Sequence, residues 1–237
     1  MKTPATLLQK TSRILVAAAM LSAAHADPVS TIHSTGDGIS VGEMDLYYTI
    51  VANPGGAVTQ AAYATSPGVG PDFPFQAWGN NGPTSKWISP QSSYTSSAAD
   101  AAGSWTFQTT FDLTNYDAST LTFGTAEFWA DNQLTGIFLN GYNIGYTANV
   151  TPDNSNFPNS TSFASQLNSA IPANILAGMN TLAFVVNNYA GDTGNPVGLQ
   201  VNLATVSATP VPEPAAFGLV VATALSVVTF RRRRRAS

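Results

Sequence analysis

Apolar and polar residues alternate with a period of two along much of the chain between residues 27 and 208. The clearest run, 105–113, alternates large apolar residues with polar ones, and 197–203 repeats the pattern. The segment 179–189 is apolar on both faces at its centre, as a strand buried on both sides would be. A period of two is typical of β-strands, and no window shows a sustained helical period. The pattern therefore predicts a β-rich domain.

Further strands are predicted at 44–52, 58–65, 121–130 and 136–144. Asn140-Gly141 lies inside the last of these and predicts a β-hairpin, because both central positions of a type I′ turn need a positive φ. Seven or eight antiparallel strands with irregular crossings favour a single β-sandwich.

The segments between the strands carry little regular pattern. The proline-rich stretch 68–91 is predicted to be a long irregular connection. A helical turn is predicted only at 163–175, where Pro172 is expected to break it. Small residues and prolines at 205–214 predict a short linker after the domain.

The first 26 residues have the three parts of a secretory signal peptide. Basic residues come first, an apolar run follows at 14–24, and Ala24 and Ala26 supply the small-x-small pattern that signal peptidase accepts. The run is too short for a hydrocarbon core of ~30 Å, which argues against a membrane-spanning helix. We therefore expect removal of residues 1–26, which makes Asp27 the first residue of the exported chain.

Residues 209–237 form a tail of three parts. Val211-Pro212-Glu213-Pro214 is followed by sixteen uncharged residues, 215–230, and then by Arg231, Arg232, Arg233, Arg234 and Arg235. The uncharged stretch predicts a transmembrane helix of ~24 Å, which spans a bilayer where flanking side chains snorkel. The arginines fix the C-terminus on the cytoplasmic side, and the signal peptide places the N-terminus outside.

This order of parts resembles the PEP-CTERM sorting signal, on residues 211–235. The resemblance implies recognition by an exosortase, a membrane transpeptidase that processes such chains near the Pro-Glu-Pro motif. It also implies a Gram-negative bacterium that builds exopolysaccharide. The chain would be exported across the inner membrane, anchored transiently, and then held at the cell surface or released. The alternative is a plain tail anchor, which needs no Pro-Glu-Pro motif.

The charge of the predicted domain, 27–208, differs strongly from that of the whole chain. The chain carries 13 acidic and 9 basic residues, a net charge of -4, but eight of the basic residues lie in the two ends. Lys86 alone opposes twelve acidic residues in the domain, whose charge is therefore near -11. Nucleic-acid binding needs clustered basic residues, so nucleic acid is not an expected partner. The chain contains no cysteine, which excludes disulfides and thiolate metal sites.

Four short motifs follow one another in the region 105–203: Trp105-Thr106-Phe107, Ala130-Asp131-Asn132 with the Asn140-Gly141 turn, Gly178-Met179-Asn180-Thr181-Leu182, and Pro196-Val197-Gly198-Leu199. In this order they resemble the galactose-binding-like jelly rolls, the β-sandwiches of carbohydrate-binding modules and of accessory domains in large glycosidases. The resemblance implies an antiparallel jelly-roll sandwich. Each motif also has a purely structural interpretation, since Asn, Gly and Pro set turns and strand ends.

A carbohydrate site needs an aromatic platform for the sugar ring and polar groups for its hydroxyls. Trp78, inside a stretch rich in glycine and proline, is the best candidate for an exposed ring, whereas Trp87, Trp105 and Trp129 are expected in the core. The candidate binding set is Trp78, Asn80, Asn81, Tyr142, Tyr189 and Asp192.

Calcium is the ion that fits this composition, since hard oxygen ligands abound and soft ligands are missing. Asp131, Asp153 and Asp192 are the candidate ligands, and the resembling modules often hold a structural calcium. No stretch matches an EF-hand loop. The alternative is that the three carboxylates are ordinary surface groups in turns and that no cofactor binds.

Catalysis has few candidate groups. His33 is the only histidine after removal of the signal, and it lies in a segment predicted to be loose, so a Ser-His-Asp site is not expected. Glycoside hydrolysis needs two carboxylates, and Glu43 and Glu127 are the only glutamates of the domain. The sequence therefore predicts a non-enzymatic protein of the exopolysaccharide matrix with weak carbohydrate binding. The alternatives are a structural surface protein without a specific ligand and a carboxylate-dependent glycosidase.

Overall fold

The computed structural model describes residues 25–66, 78–93, 99–145, 156–190 and 195–211. In chain order its elements are β1 Asp27–Pro28, β2 Met44–Asn53, β3 Gly56–Thr65, β4 Trp87–Ser89, β5 Gly103–Asp112, β6 Tyr116–Asp131, β7 Gln133–Leu139, β8 Tyr142–Asn143, β9 Asn156–Ser162, α1 Ala164–Asn174, β10 Met179–Asn188 and β11 Gly198–Pro210. The predicted β-rich class is confirmed. The predicted C-terminal helix, 215–230, and most of the signal peptide lie outside the described residues.

The eleven strands form one antiparallel sheet. Hydrogen bonds join ten of them in the order β8-β7-β10-β5-β2-β3-β4-β11-β6-β9, and β1 pairs with β11 beside this path. β10 lies between β5 and β7, and its pairing with β5 runs without a shift from Met179 opposite Asp112 to Asn188 opposite Gly103. Alternate residues of β10 are buried, but Ala183 and Val185 are only half-buried. The prediction that this strand is buried on both sides is therefore too strong.

The core joins strands that are distant in the sheet. Phe163, just before α1, packs its ring against Phe128 of β6 at 6.1 Å and edge-on against Phe184 of β10 at 5.7 Å. All three rings are fully buried, and each contributes about 1.5–3 kcal/mol of transfer free energy. Since β6 and β10 lie far apart in strand order, the sheet curves so that both line one core. The jelly-roll sandwich itself stays a prediction.

The predicted hairpin is confirmed at Asn140-Gly141. Asn140 has a φ of 51° and Gly141 a φ of 81°, the left-handed conformation that this pair tolerates best. The turn joins β7 to β8 and places Leu139 opposite Tyr142.

Three segments differ from their predictions. The first is the predicted irregular connection 68–91, which contains the short buried strand β4, Trp87–Ser89, paired with β3 and β11. The segment around Pro172 is a helix of 11 residues, because Leu167, Ala170 and Ile171 are buried against the core and outweigh the one backbone donor that proline lacks. The predicted linker 205–214 begins inside β11, which continues to Pro210. Val206 and Ala208 are buried there, and pairing with β1 and β6 holds them in the sheet.

Candidate functional site

Asp131, the last residue of β6, is a buried carboxyl with 3% exposure. Its Oδ2 accepts a hydrogen bond from Trp78 Nε1 at 2.7 Å, and its Oδ1 has no hydrogen-bond partner within the described part of the chain. Burial raises the pKa of Asp131 to about 7; the Trp78 hydrogen bond opposes this shift, and the charge of Asp100 adds to it. The fold therefore holds one carboxyl that changes its charge near neutral pH.

Trp78 is where the structure departs most from the prediction. Its ring is 5% exposed, stacks on Trp87 with centroids 4.1 Å apart, and covers Gly198 so closely that an added Cβ would meet it at 2.4 Å. The prediction of an exposed platform is wrong. Glycine and proline near Trp78 indicate an irregular backbone, but they do not determine where the ring lies. The ring is buried because it stacks on Trp87 and donates a hydrogen bond to Asp131. Trp87 and Trp105 are buried as predicted, and Trp129 is half-buried.

Amide side chains hold the loops around this carboxyl. Asn132 Oδ1 accepts a hydrogen bond from the Tyr189 N–H at 2.8 Å, and the Tyr189 hydroxyl donates to Gln133 Oε1 at 2.8 Å. Asp100 Oδ2 accepts from the Val197 N–H at 2.9 Å. Tyr189 is therefore half-buried, with its hydroxyl engaged inside the protein.

The other residues predicted to contact a sugar or to bind calcium make local contacts or lie outside the described residues. Asn81 donates to the Thr65 carbonyl at 3.1 Å and accepts from the Trp87 N–H at 2.9 Å, so its side chain braces the strand ends. Asn80 is exposed beside it. The candidate ligands Asp153 and Asp192 lie outside the described residues. In the ranges that are described, no group of three or more His, Asp or Glu residues could hold a metal ion, and calcium stays a prediction.

The candidate binding set divides between two ends of the sheet. Tyr142 is 54% exposed and follows the hairpin whose Asn140 N–H donates to the Thr181 carbonyl near the start of β10. Trp78 and Tyr189 lie by the other end of that strand. At about 3.3 Å per residue the two ends of β10 are about 30 Å apart. Tyr142 therefore shares no platform with Tyr189 or Trp78.

A groove of about 820 Å³ opens at the Tyr142 end. Its walls come from the start of β6, the α1–β10 connection and the end of β11, and include Tyr116, Pro172, Ile175, Ala177 and Val211. Sequence reasoning missed it, because three segments distant along the chain build it. Val211 is the first residue of the predicted sorting motif, and its N–H donates to the Asn115 carbonyl at 2.9 Å.

The rest of the predicted processing residues have little described structure. Pro212, Glu213 and Pro214 lie outside the described residues, as do Arg231, Arg232, Arg233, Arg234 and Arg235. At the predicted signal cleavage site, Ala24 also lies outside them, Ala26 is exposed, and Asp27 begins β1.

The catalytic candidates make local contacts. His33 stacks on Tyr47 with centroids 3.5 Å apart and bonds to Asp37 at 2.9 Å through Nδ1, so the prediction of a loose segment is wrong. Glu43 is exposed and accepts a hydrogen bond from the Ser40 N–H. Glu127 is half-buried on β6.

No protein-family model matches the chain, and neither a curated protein nor a solved structure matches it. In the part of the chain that the structure describes, no helix is long and apolar enough to cross a membrane. Function is therefore inferred from the residues themselves.

Proposed function

We propose that this chain is an exported β-domain protein whose tail is recognised and processed by a membrane transpeptidase of the exosortase class. The observation that carries the proposal is the order of parts in 211–235: a Pro-Glu-Pro motif, sixteen uncharged residues and five arginines. β11 ends at Pro210, so the motif follows the folded domain directly. The arginine cluster favours a cytoplasmic C-terminus, which leaves the domain outside.

The exported unit in this proposal is an antiparallel sandwich of the jelly-roll type. The contacts of Phe163 with Phe128 and Phe184 support it, because strands six places apart in the sheet then share one core. Asp27 lies opposite Ala208, so the signal peptide and the tail leave the domain from neighbouring strands. Both ends can therefore face the same membrane while the chain is being exported.

The proposal is tested by following the tail in a Gram-negative host with and without its exosortase. The full chain should be shortened near residue 214 only where the enzyme is present. Replacing Pro212, Glu213 and Pro214 by Ala should leave the chain whole and membrane-bound. The matched control is Pro210→Ala, a proline outside the motif, which should be processed like the wild type. Equal processing of the motif variant and the wild type would contradict the proposal, and no processing in either host would indicate a plain tail anchor.

For the displayed domain, the geometry favours the role of a structural surface protein without a specific ligand. Trp78 is buried, and Tyr142 and Tyr189 belong to opposite ends of β10. A charge near -11 also repels anionic polysaccharide unless divalent cations bridge the two. Association with the exopolysaccharide matrix then depends on display and packing.

Weak carbohydrate binding is the second candidate, and the 54% exposure of Tyr142 favours it. A glycan array of chain 25–211, with and without calcium, separates the two roles. Trp78→Ala is unsuitable here because it opens the core. Tyr142→Ala should reduce any sugar signal, and Val41→Ala, at a similar exposure of 49% just before β2, should leave it unchanged. A blank array under both conditions supports the structural role.

A further inference from the structure

Four large apolar side chains stand exposed on segments that meet at the Tyr142 end of the domain, and one of them, Val211, also lines the groove. They are Tyr142, Leu176, Met179 and Val211, with exposures of 54%, 54%, 60% and 51%. We call these four residues and the groove the exit face, because the chain leaves the domain there. Exposed apolar side chains gathered in one region mark an interaction surface more often than single ones do.

Hydrogen bonds bring the parts of the exit face together. The Asn140 side chain, beside Tyr142 in the hairpin, donates to the Asn174 carbonyl at 2.7 Å at the end of α1. The Leu113 N–H donates to the Gly178 carbonyl at 3.0 Å, next to Met179. In the same short turn, Asn115 accepts the hydrogen bond from Val211. The turn after β5 therefore joins the Met179 side of the face to the Val211 side.

The length of the chain beyond Val211 limits where this face can lie. Only Pro212, Glu213 and Pro214 separate Val211 from the uncharged stretch that begins at Ala215. Four residue steps span at most about 14 Å. A stretch of sixteen residues makes a helix of ~24 Å, shorter than a hydrocarbon core of ~30 Å, so it has no length to spare above the core. The headgroup layer takes up a further ~5–8 Å of the distance.

From these lengths and contacts, and resting on the membrane-inserted tail of the proposed function, we infer that the exit face docks on the outer surface of the inner membrane. Its four apolar side chains enter the interfacial layer. Tyrosine is favoured at that depth, because its ring is apolar and its hydroxyl reaches water. Residues 212–214 tether the exit face to the inserted tail. This short tether raises the local concentration of the face at the membrane into the millimolar range, so weak contacts suffice for docking.

The exit face is suited to dock on a bilayer of zwitterionic lipid. Asp117 is exposed at the groove, and the whole domain is near -11, so anionic headgroups repel this end of the molecule. The contact is therefore apolar in origin and should weaken, not strengthen, as anionic lipid is added. Docking also holds residues 212–214 at the level of the headgroups, where a membrane-embedded transpeptidase works.

The test uses the full chain in phosphatidylcholine vesicles, with one environment-sensitive dye on a single introduced cysteine. The natural chain has no cysteine, so labelling is specific. Leu176→Cys and Met179→Cys report the exit face. Ala102→Cys is the matched control, because it is exposed just before β5, at the end of the strand that lies opposite Asn188 rather than Met179. Circular dichroism checks the fold of each variant.

We expect headgroup-attached nitroxide lipids to quench the dye at 176 and 179 at least threefold more than at 102, with a blue-shifted emission. Equal quenching at the three positions, in a chain that resists alkaline extraction, would overturn the membrane contact and leave the inserted tail intact. Extraction of the chain at alkaline pH would overturn both proposals. A blue shift without quenching would show that the tail or a second copy covers the exit face, which also overturns the membrane contact.

Discussion

At the scale of single residues, two buried carboxyls show how hydrogen bonding sets the cost of burial. Asp45 is 4% exposed and accepts hydrogen bonds from the backbone N–H groups of Gly36, Tyr47 and Tyr48. Burial raises its pKa, and these three bonds oppose the shift. Asp131 has a single donor, from Trp78, and one oxygen without a partner in the described structure. The ionised carboxylate of Asp131 therefore has fewer hydrogen bonds to stabilise it than that of Asp45, and the charge of Asp131 is the more sensitive of the two to pH.

From the raised pKa of Asp131 we expect the domain to become more stable as the pH falls below about 7. Its folded-state pKa is about 7, above the usual 3.8, so the folded state binds more protons than the unfolded state between these values. The contribution of Asp131 to the free energy of unfolding is present below about pH 4 and is lost as the pH rises through 7. Urea unfolding of chain 25–211 should therefore show a loss of about 2–4 kcal/mol between pH 5 and pH 8 from this group.

Asp131→Asn should flatten that fall, because the amide does not titrate. Asp112→Asn is the control. Hydrogen bonds from the Thr114 hydroxyl and N–H lower the pKa of Asp112 from its usual 3.8, so this carboxyl is ionised in both the folded and the unfolded state between pH 5 and pH 8, and its removal should leave the fall unchanged. Unchanged pH dependence in Asp131→Asn would show that this carboxyl keeps its charge throughout the range.

At the scale of elements, the sequence predicts those features that depend on residues adjacent in the chain. The β7–β8 hairpin follows from Asn140-Gly141 alone, because few other pairs tolerate a positive φ twice. The end of β11 is predicted to be a linker, because its small residues carry no strong pattern, whereas its place in the sheet comes from β1 and β6. Burial of Trp78 depends likewise on Asp131 and Gly198, which lie far from it in the sequence, as well as on the nearby ring of Trp87.

The β7–β8 hairpin owes its position to the Asn140 side chain as well as to its turn. Asn140 Nδ2 donates to the Asn174 carbonyl at 2.7 Å and to Asn180 Oδ1 at 2.8 Å, and Oδ1 accepts from the Thr181 N–H at 2.8 Å. The Asn140→Asp variant keeps the turn conformation, but a carboxylate oxygen then replaces the amide nitrogen and lies against two hydrogen-bond acceptors, the Asn174 carbonyl and Asn180 Oδ1. We expect a loss of about 1–3 kcal/mol in the free energy of unfolding.

Asn143→Asp is the matched control for the hairpin. Within the described residues the Asn143 side chain makes one hydrogen bond, which its Oδ1 accepts from the Gly145 N–H and which a carboxylate also accepts. Its urea midpoint should stay within error of the wild type. A similar loss in both variants would mean that charge in the hairpin, and not the bonds to Asn174 and Asn180, decides stability.

At the scale of the whole molecule, the last strand closes the fold and begins the tail. The Val29 N–H donates to the Val206 carbonyl, the Thr209 N–H donates to Thr120 Oγ1, and Val211 bonds to Asn115. These contacts tie the start of the domain and β6 to the same short segment. The tail therefore continues from a strand that the fold needs, and the Pro-Glu-Pro motif follows the end of that strand at Pro210 almost directly.

Truncation tests this arrangement directly. A chain ending at Val211 keeps all of β11, whereas a chain ending at Thr205 loses two buried residues, Val206 and Ala208, with their pairing to β1. Domains of this size are stable by only about 5–15 kcal/mol, and removing these contacts should cost several of them. We expect cooperative urea unfolding for 25–211 and a much lower midpoint, or no folded baseline, for 25–205. Equal midpoints would mean that 206–211 is a linker that happens to lie along the sheet, and the short tether on which membrane docking of the exit face depends would then be longer by six residues.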